Sequence, residues 1–151
     1  MPNWIEGTLK VRGKAENLIR FIQNAIDATV TQIPCGKSDF EFDIPDRAYI
    51  KDSRRAFTRE SHYCYVDKSV EQNQIITIPI KQAWSFSSME GDELRWVRLA
   101  KEYGVDIRLQ GFECGIQFYQ DLAIENGEIT VDEVTQYENW DWECPMPNLG
   151  G

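Results

Sequence analysis

Apolar and polar residues alternate from Trp4 to Arg12, with Leu9 and Val11 on one side and Thr8, Lys10 and Arg12 on the other, which predicts a half-buried strand closed by Gly13. The pattern then changes period. Leu18, Ile22, Ala25 and Ile26 recur at helical spacing, Ile19 widens the stripe, and an amphipathic helix is expected over 14–28. Residues 29–60 mix Pro34, Gly36 and Pro45 with many charges and read as a long loop or insertion. Strands are expected over 61–67 and 74–82, the second with Ile76, Ile78 and Ile80 on one face and with Pro79 turned toward an edge or bulge.

A helix is expected from Ser87 to Gly104. Ser87 to Glu90 has capping-box spacing, Gly104 suits a helix stop, and Leu94, Val97 and Ala100 lie beside Trp96, Leu99 and Tyr103 on one broad face. Val105, Ile107 and Leu109 then alternate with Asp106, Arg108 and Gln110. Ile116, Phe118, Leu122 and Ile124 share a phase that Gln120 interrupts, and Asn126-Gly127 marks a two-residue hairpin leading to Ile129 and Val131. The expected order is β-α-insertion-β-β-α-β followed by a hairpin. As a fold class this is α+β: a ferredoxin-like split βαβ antiparallel sheet with two helices, in one domain spanning 1–151. The insertion is 29–60, and an acidic hairpin and tail occupy 109–151.

Charge sharpens the picture. The chain of 151 residues carries −9, yet residues 1–108 are neutral and 109–151 hold no Lys or Arg. The imbalance lies wholly in Glu113, Asp121, Glu125, Glu128, Asp132, Glu133, Glu138, Asp141 and Glu143. An acidic chain argues against generic nucleic-acid binding and against adhesion to an anionic membrane. The start lacks a basic, apolar leader, no apolar run is long enough to span a bilayer, and Cys35, Cys64, Cys114 and Cys144 are widely spaced; reduced thiols in a bacterial cytosol are expected.

Three stretches stand out together: Met1-Pro2-Asn3-Trp4 running into Leu9-Lys10-Val11-Arg12-Gly13, then Ala83-Trp84-Ser85-Phe86, then Gly104-Val105-Asp106-Ile107-Arg108 with Gly111-Phe112-Glu113-Cys114-Gly115 and Phe118. Together they resemble the YubB-type ferredoxin-like family of phage and plasmid accessory proteins, leaving 29–70 largely unmatched. The resemblance implies the fold and a mobile-element origin, but no catalytic mechanism. One departure is Ile5, where many members of that family have Cys directly after the Trp.

Candidate chemistry is sparse. His62 and Cys64 share a strand face and could ligate a metal or act as base and nucleophile, but the remaining ligands or partners are missing from the sequence. No phosphate-loop, zinc-protease or nucleophile-elbow motif is present, so the expectation is a non-enzyme without cofactor or metal. Arg47, Lys51, Arg54, Arg55, Arg59 and Lys68 form a basic cluster interleaved with acids, which reads as a solvated insertion or a phosphate site. The sharpest feature is Tyr137-Glu138-Asn139-Trp140-Asp141-Trp142-Glu143, which alternates aromatic and acidic groups.

Carboxylates can take the place of phosphates at sites built from Arg and Lys, and aromatics anchor interfaces. The expected function is therefore inhibition of a host defence nuclease, with a CRISPR effector as the first candidate. The nine acids together with Trp140 and Trp142 would meet its basic channel. The plainer alternative is that both tryptophans fold back on the sheet and the acids solubilise it. A second expectation is a nucleotide or cyclic-dinucleotide module, with Arg54, Arg55 and Arg59 on the phosphates and Trp84 stacked on a base. A third is hydrolysis of such a ligand centred on His62.

Overall fold

The computed structural model describes residues 2–89 and 91–151. The alternation at the start of the chain forms β1 (Trp4–Gly13), whose Leu9 and Val11 are buried. Its register pairs it with β8 (Gln74–Ala83) on one side and β9 (Asp106–Glu113) on the other, both antiparallel. Next to β9 lie β10 (Phe118–Glu125) and β11 (Glu128–Gln136), joined through Asn126 and Gly127, which have φ of 52° and 77° as a primed turn requires. On the far side of β8 come β6 (Ala56–Thr58), β5 (Tyr49–Ile50) and β2 (Ile26–Asp27). The order across this eight-stranded sheet is β11-β10-β9-β1-β8-β6-β5-β2. A second sheet of three strands is built from β3 (Thr31–Pro34), β4 (Asp39–Ile44) and β7 (His62–Asp67), with β4 in the middle.

The fold class therefore differs from the expected two-helix ferredoxin-like α+β arrangement. Among the described residues the chain is mostly antiparallel sheet, with three short helices: α1 (Ala15–Asn24), α2 (Arg95–Tyr103) and the single turn α3 (Trp140–Glu143). The expected loop over 29–60 is the main source of the discrepancy. Phe40, Phe42 and Ile44 alternate with Glu41 and Asp43 in β4, and Phe42 and Ile44 enter the same core as α1 and β1. β7, expected in the main sheet, pairs with β4 instead. Pairing energy in short strands comes from neighbours distant in sequence, so local composition understates them.

The expected helix from Ser87 begins only at Arg95. Ser88 Oγ is 3.2 Å from the Ser85 amide that donates to it, and Ser87 Oγ accepts from Gln120 Nε2 at 3.0 Å. Both hydroxyls are thus engaged outside any helix cap, and Glu90 of the expected capping box lies outside the described residues. Gly104 does end the helix, in the left-handed region at φ 63°. α1 likewise stops early, and Ile26 is buried in β2. Pro79 faces the β6 side just past the end of that strand, where its carbonyl accepts from Arg59 N at 3.0 Å.

The core lies on the face of the main sheet that meets α1 and α2, where Leu9, Ile78, Leu109 and Leu122 pack with Leu18, Trp96 and Leu99. Gln120, the polar exception in β10, is fully buried there and accepts from Phe86 N at 2.9 Å. The opposite face carries the other phase of every strand. One transverse row, fixed by register, runs Tyr49, Phe57, Lys81, Glu6, Phe112 and Tyr119 across β5, β6, β8, β1, β9 and β10. The α3 turn covers the Phe112 end of this row, with Trp140 edge-on to Phe112 at 6.4 Å.

Candidate functional site: an acidic edge and an aromatic cup

β11 is the outer strand of the sheet, and most of its residues are exposed. Glu128, Asp132 and Glu133 project from it, with Ile129 and Val134 also open to solvent. The register shifts between Ala123 and Ile124, so one bulge sits early in the strand. Beyond it, Glu138, Asp141 and Trp142 are exposed around α3, and Trp142 is 86% accessible.

Other acids expected at this surface have structural roles. Glu113 is fully buried, and its two carboxylate oxygens accept the Gly115 and Ile116 amides at 2.6 and 2.7 Å. It closes the β9–β10 turn and presents nothing to a partner. Asp121 is buried under a two-pronged contact with Arg108, at 2.9 and 2.6 Å, which pushes the Arg108 guanidinium pKa up. Glu125 meets Arg12 at 2.8 Å, a cation shared with Asp106. Glu143 folds back to accept the Glu138 and Asn139 amides at 2.9 and 2.8 Å. Trp140 is buried, edge-on to Tyr137 at 5.7 Å, with its Nε1 donating to Pro147 O at 2.9 Å. The exposed acids outside these contacts are Glu128, Glu133, Glu138 and Asp141, with Trp142 beside them; Asp132 is also exposed, with one oxygen accepting from Gln120 Nε2 at 3.4 Å. Which acids are engaged depends on cross-strand partners, and no local sequence signal marks them.

The basic cluster divides as well. Arg54 and Arg55 are exposed on the turn before β6, and Arg59 follows the far end of that strand. Lys51 pairs with Glu102 at 2.7 Å, each holding the other in its charged form. Lys68 lies over the Phe40 ring at 4.8 Å. Trp84, expected to stack on a base, is about half exposed at φ 68° just after β8, where the preceding Ala83 amide donates to Arg55 O at 2.8 Å.

The structure instead gathers residues that sequence separation hides. Trp4, Arg47, Tyr49, Phe57, Arg59 and Lys81, with Glu6, line a shallow cup of about 460 Å³ on the open sheet face. Phe57 is edge-on to Trp4 at 5.3 Å and to Tyr49 at 5.9 Å. Lys81 reaches Glu6 at 2.6 Å and stands 5.7 Å from the centre of the Trp4 ring. The available signal was aromatic residues in the solvent-facing phase of β1, β5 and β6, visible only once those short strands are placed.

His62 and Cys64 share a face of β7, but Cys64 is buried and burial pushes its thiol up to about 12, far from the thiolate a nucleophile needs. All four cysteines are unpaired. Among the described residues no group of three or more His, Cys, Asp or Glu is placed to hold a metal ion, and no helix is long and apolar enough to cross a membrane. No protein-family model, curated protein or solved structure matches the chain.

Proposed function

We propose that this chain is a non-enzymatic binding protein that docks its acidic β11 edge and α3 turn against a basic surface of a protein partner. The observation that carries the reading is selective exposure. Glu128, Asp132 and Glu133 stay open to solvent along the β11 edge, and Glu138 and Asp141 around α3, in a segment with no Lys or Arg. An outer strand also offers unpaired backbone groups, so a basic segment could add to β11 through the main chain while its cations meet these carboxylates. Trp142 supplies an aromatic anchor beside them. Carboxylates spaced along a strand occupy the kind of site that binds phosphates, which points to a partner whose own ligand is a nucleic acid. The resemblance to mobile-element proteins makes a defence nuclease in the bacterial cytosol the first partner to try.

The test is affinity capture from a bacterial lysate with mass spectrometry, run with the wild-type chain and with Glu128, Asp132, Glu133, Glu138 and Asp141 all changed to Lys. A nucleic-acid-binding protein captured by the first, lost by the second and displaced by added DNA or RNA is the expected result. Its affinity should fall at least about tenfold on charge reversal, mainly through slower association. Capture that survives both charge reversal and competing nucleic acid overturns the proposal.

A further inference from the structure

The cup on the open sheet face lies away from the acidic edge, and nothing in the docking proposal uses it. Three features of its lining point to one ligand chemistry. The first is charge: Arg47, Arg59 and Lys81 are opposed by a single acid in the lining, Glu6, within a chain of net charge −9. The second is Arg59 itself, whose side chain is mostly buried and whose Nε–H is buried without an acceptor. That Nε–H is closed to a ligand in the cup, so an oxyanion meets the part of the Arg59 side chain that stays open, 28% of it. Glu60, the neighbouring acid, sits 3.6 Å from Arg59 Nη2 and is turned largely to solvent.

The third feature is backbone geometry. Arg47 is held in the left-handed region at φ 53°, a conformation that a side-chain-bearing residue adopts at a cost. Thr58 fixes that turn. Its hydroxyl donates to Pro45 O at 2.6 Å and accepts the Ala48 amide at 2.9 Å, while its carbonyl accepts the Arg47 amide at 3.0 Å. The two arginines are therefore presented from either side of one buried threonine, beside a strip of aromatic rings.

We infer that the cup binds a free nucleoside phosphate, with the base against Tyr49 and Phe57 and the phosphate between Arg47 and Arg59. An aromatic surface accepts the face of a planar base, and a pair of guanidinium groups accepts phosphate oxygens. A small ligand fits better than a nucleic-acid strand, because a strand leaving the cup would run onto a strongly acidic molecule.

Isothermal titration of the full chain with AMP, ADP, GMP and a cyclic dinucleotide, alongside adenosine, inorganic phosphate and a single-stranded oligonucleotide, tests it. At least one nucleoside phosphate should bind, at least about tenfold more tightly than adenosine or phosphate alone, since each of those engages half of the site. Arg59→Gln should weaken binding by about tenfold, the scale of one charge-assisted hydrogen bond. Because Arg59 is largely buried, Arg47→Gly is the decisive second variant. Glycine tolerates the left-handed backbone, so this chain should melt no lower than wild type while binding at least about tenfold more weakly. Failure of every nucleoside phosphate to bind, tighter binding of the oligonucleotide, or full affinity in Arg47→Gly overturns the inference.

Discussion

Cys64 shows how a single position separates apparent chemistry from real chemistry. Its two-residue spacing from His62 places both on one face of β7, yet Cys64 is 3% exposed and its thiol is pushed from 9.0 up to about 12 by desolvation. The folded chain therefore keeps a proton that the unfolded chain loses above 9. The stability this burial contributes is fully present below 9 and lost as pH rises toward about 12. Tyr65, Tyr119 and Tyr137 are also raised by burial and give a background slope of the same sign. The difference between wild type and Cys64→Ala isolates the thiol: denaturant midpoints measured across alkaline pH should fall more steeply in wild type. In mildly alkaline native buffer, iodoacetamide should leave Cys64 unmodified until the chain unfolds, read by mass spectrometry. Rapid native-state alkylation would contradict the burial.

Elements with a clean period were legible and the others were not. β1, β8, β9 and the Asn126-Gly127 hairpin follow directly from alternation and turn chemistry. β4 has the same alternation in Phe40, Phe42 and Ile44, but its flanking Gly36 and Pro45 conceal it, and β2, β5 and β6 are only two or three residues long. The candidate sites divide along the same line. The acidic edge was legible as a count of charges, whereas the cup needs the registers of β5 and β6 before its aromatics converge. Gly111 in β9 is a case where packing explains what spacing leaves open. It pairs with Gly7, and a Cβ there would sit 2.8 Å from both the Phe86 ring and Glu6 O. Glycine at this position lets β9 close against a buried ring. Gly111→Ala should cost about 2 kcal/mol through overpacking, seen as a lower denaturant midpoint. Phe86→Leu in the same chain should recover part of that loss by withdrawing the ring, though the contact with Glu6 O remains. A neutral Gly111→Ala would show that the β1–β9 pair does not need the close approach.

At the scale of the whole molecule, the eight-stranded sheet holds its two charged surfaces apart. Glu138 and Asp141 lie around the α3 turn that covers Phe112, nearer the cup, whereas Glu128, Asp132 and Glu133 are on β11 and the cup is centred on β8 and β6, four and five strand steps away in the sheet order. At about 4.8 Å per step this is roughly 20 Å, more than two Debye lengths at physiological salt and less than one at about 0.01 M. α1 and α2 cover the other face of the sheet, so the field between the two surfaces passes largely through solvent, where ions screen it. Screening therefore decides whether the sites sense each other. Near physiological salt, changing the β11 acids Glu128, Asp132 and Glu133 to Lys should leave nucleotide affinity at the cup within about twofold of wild type. At about 0.01 M salt the same variant should bind the nucleotide several-fold more tightly, because long-range repulsion of the phosphate has become attraction. Isothermal titration of wild type and variant at both salt concentrations measures this directly. Equal affinities at low salt would mean that the edge charges exert no field at the cup, while a large difference at physiological salt would require contact between the two regions rather than a field.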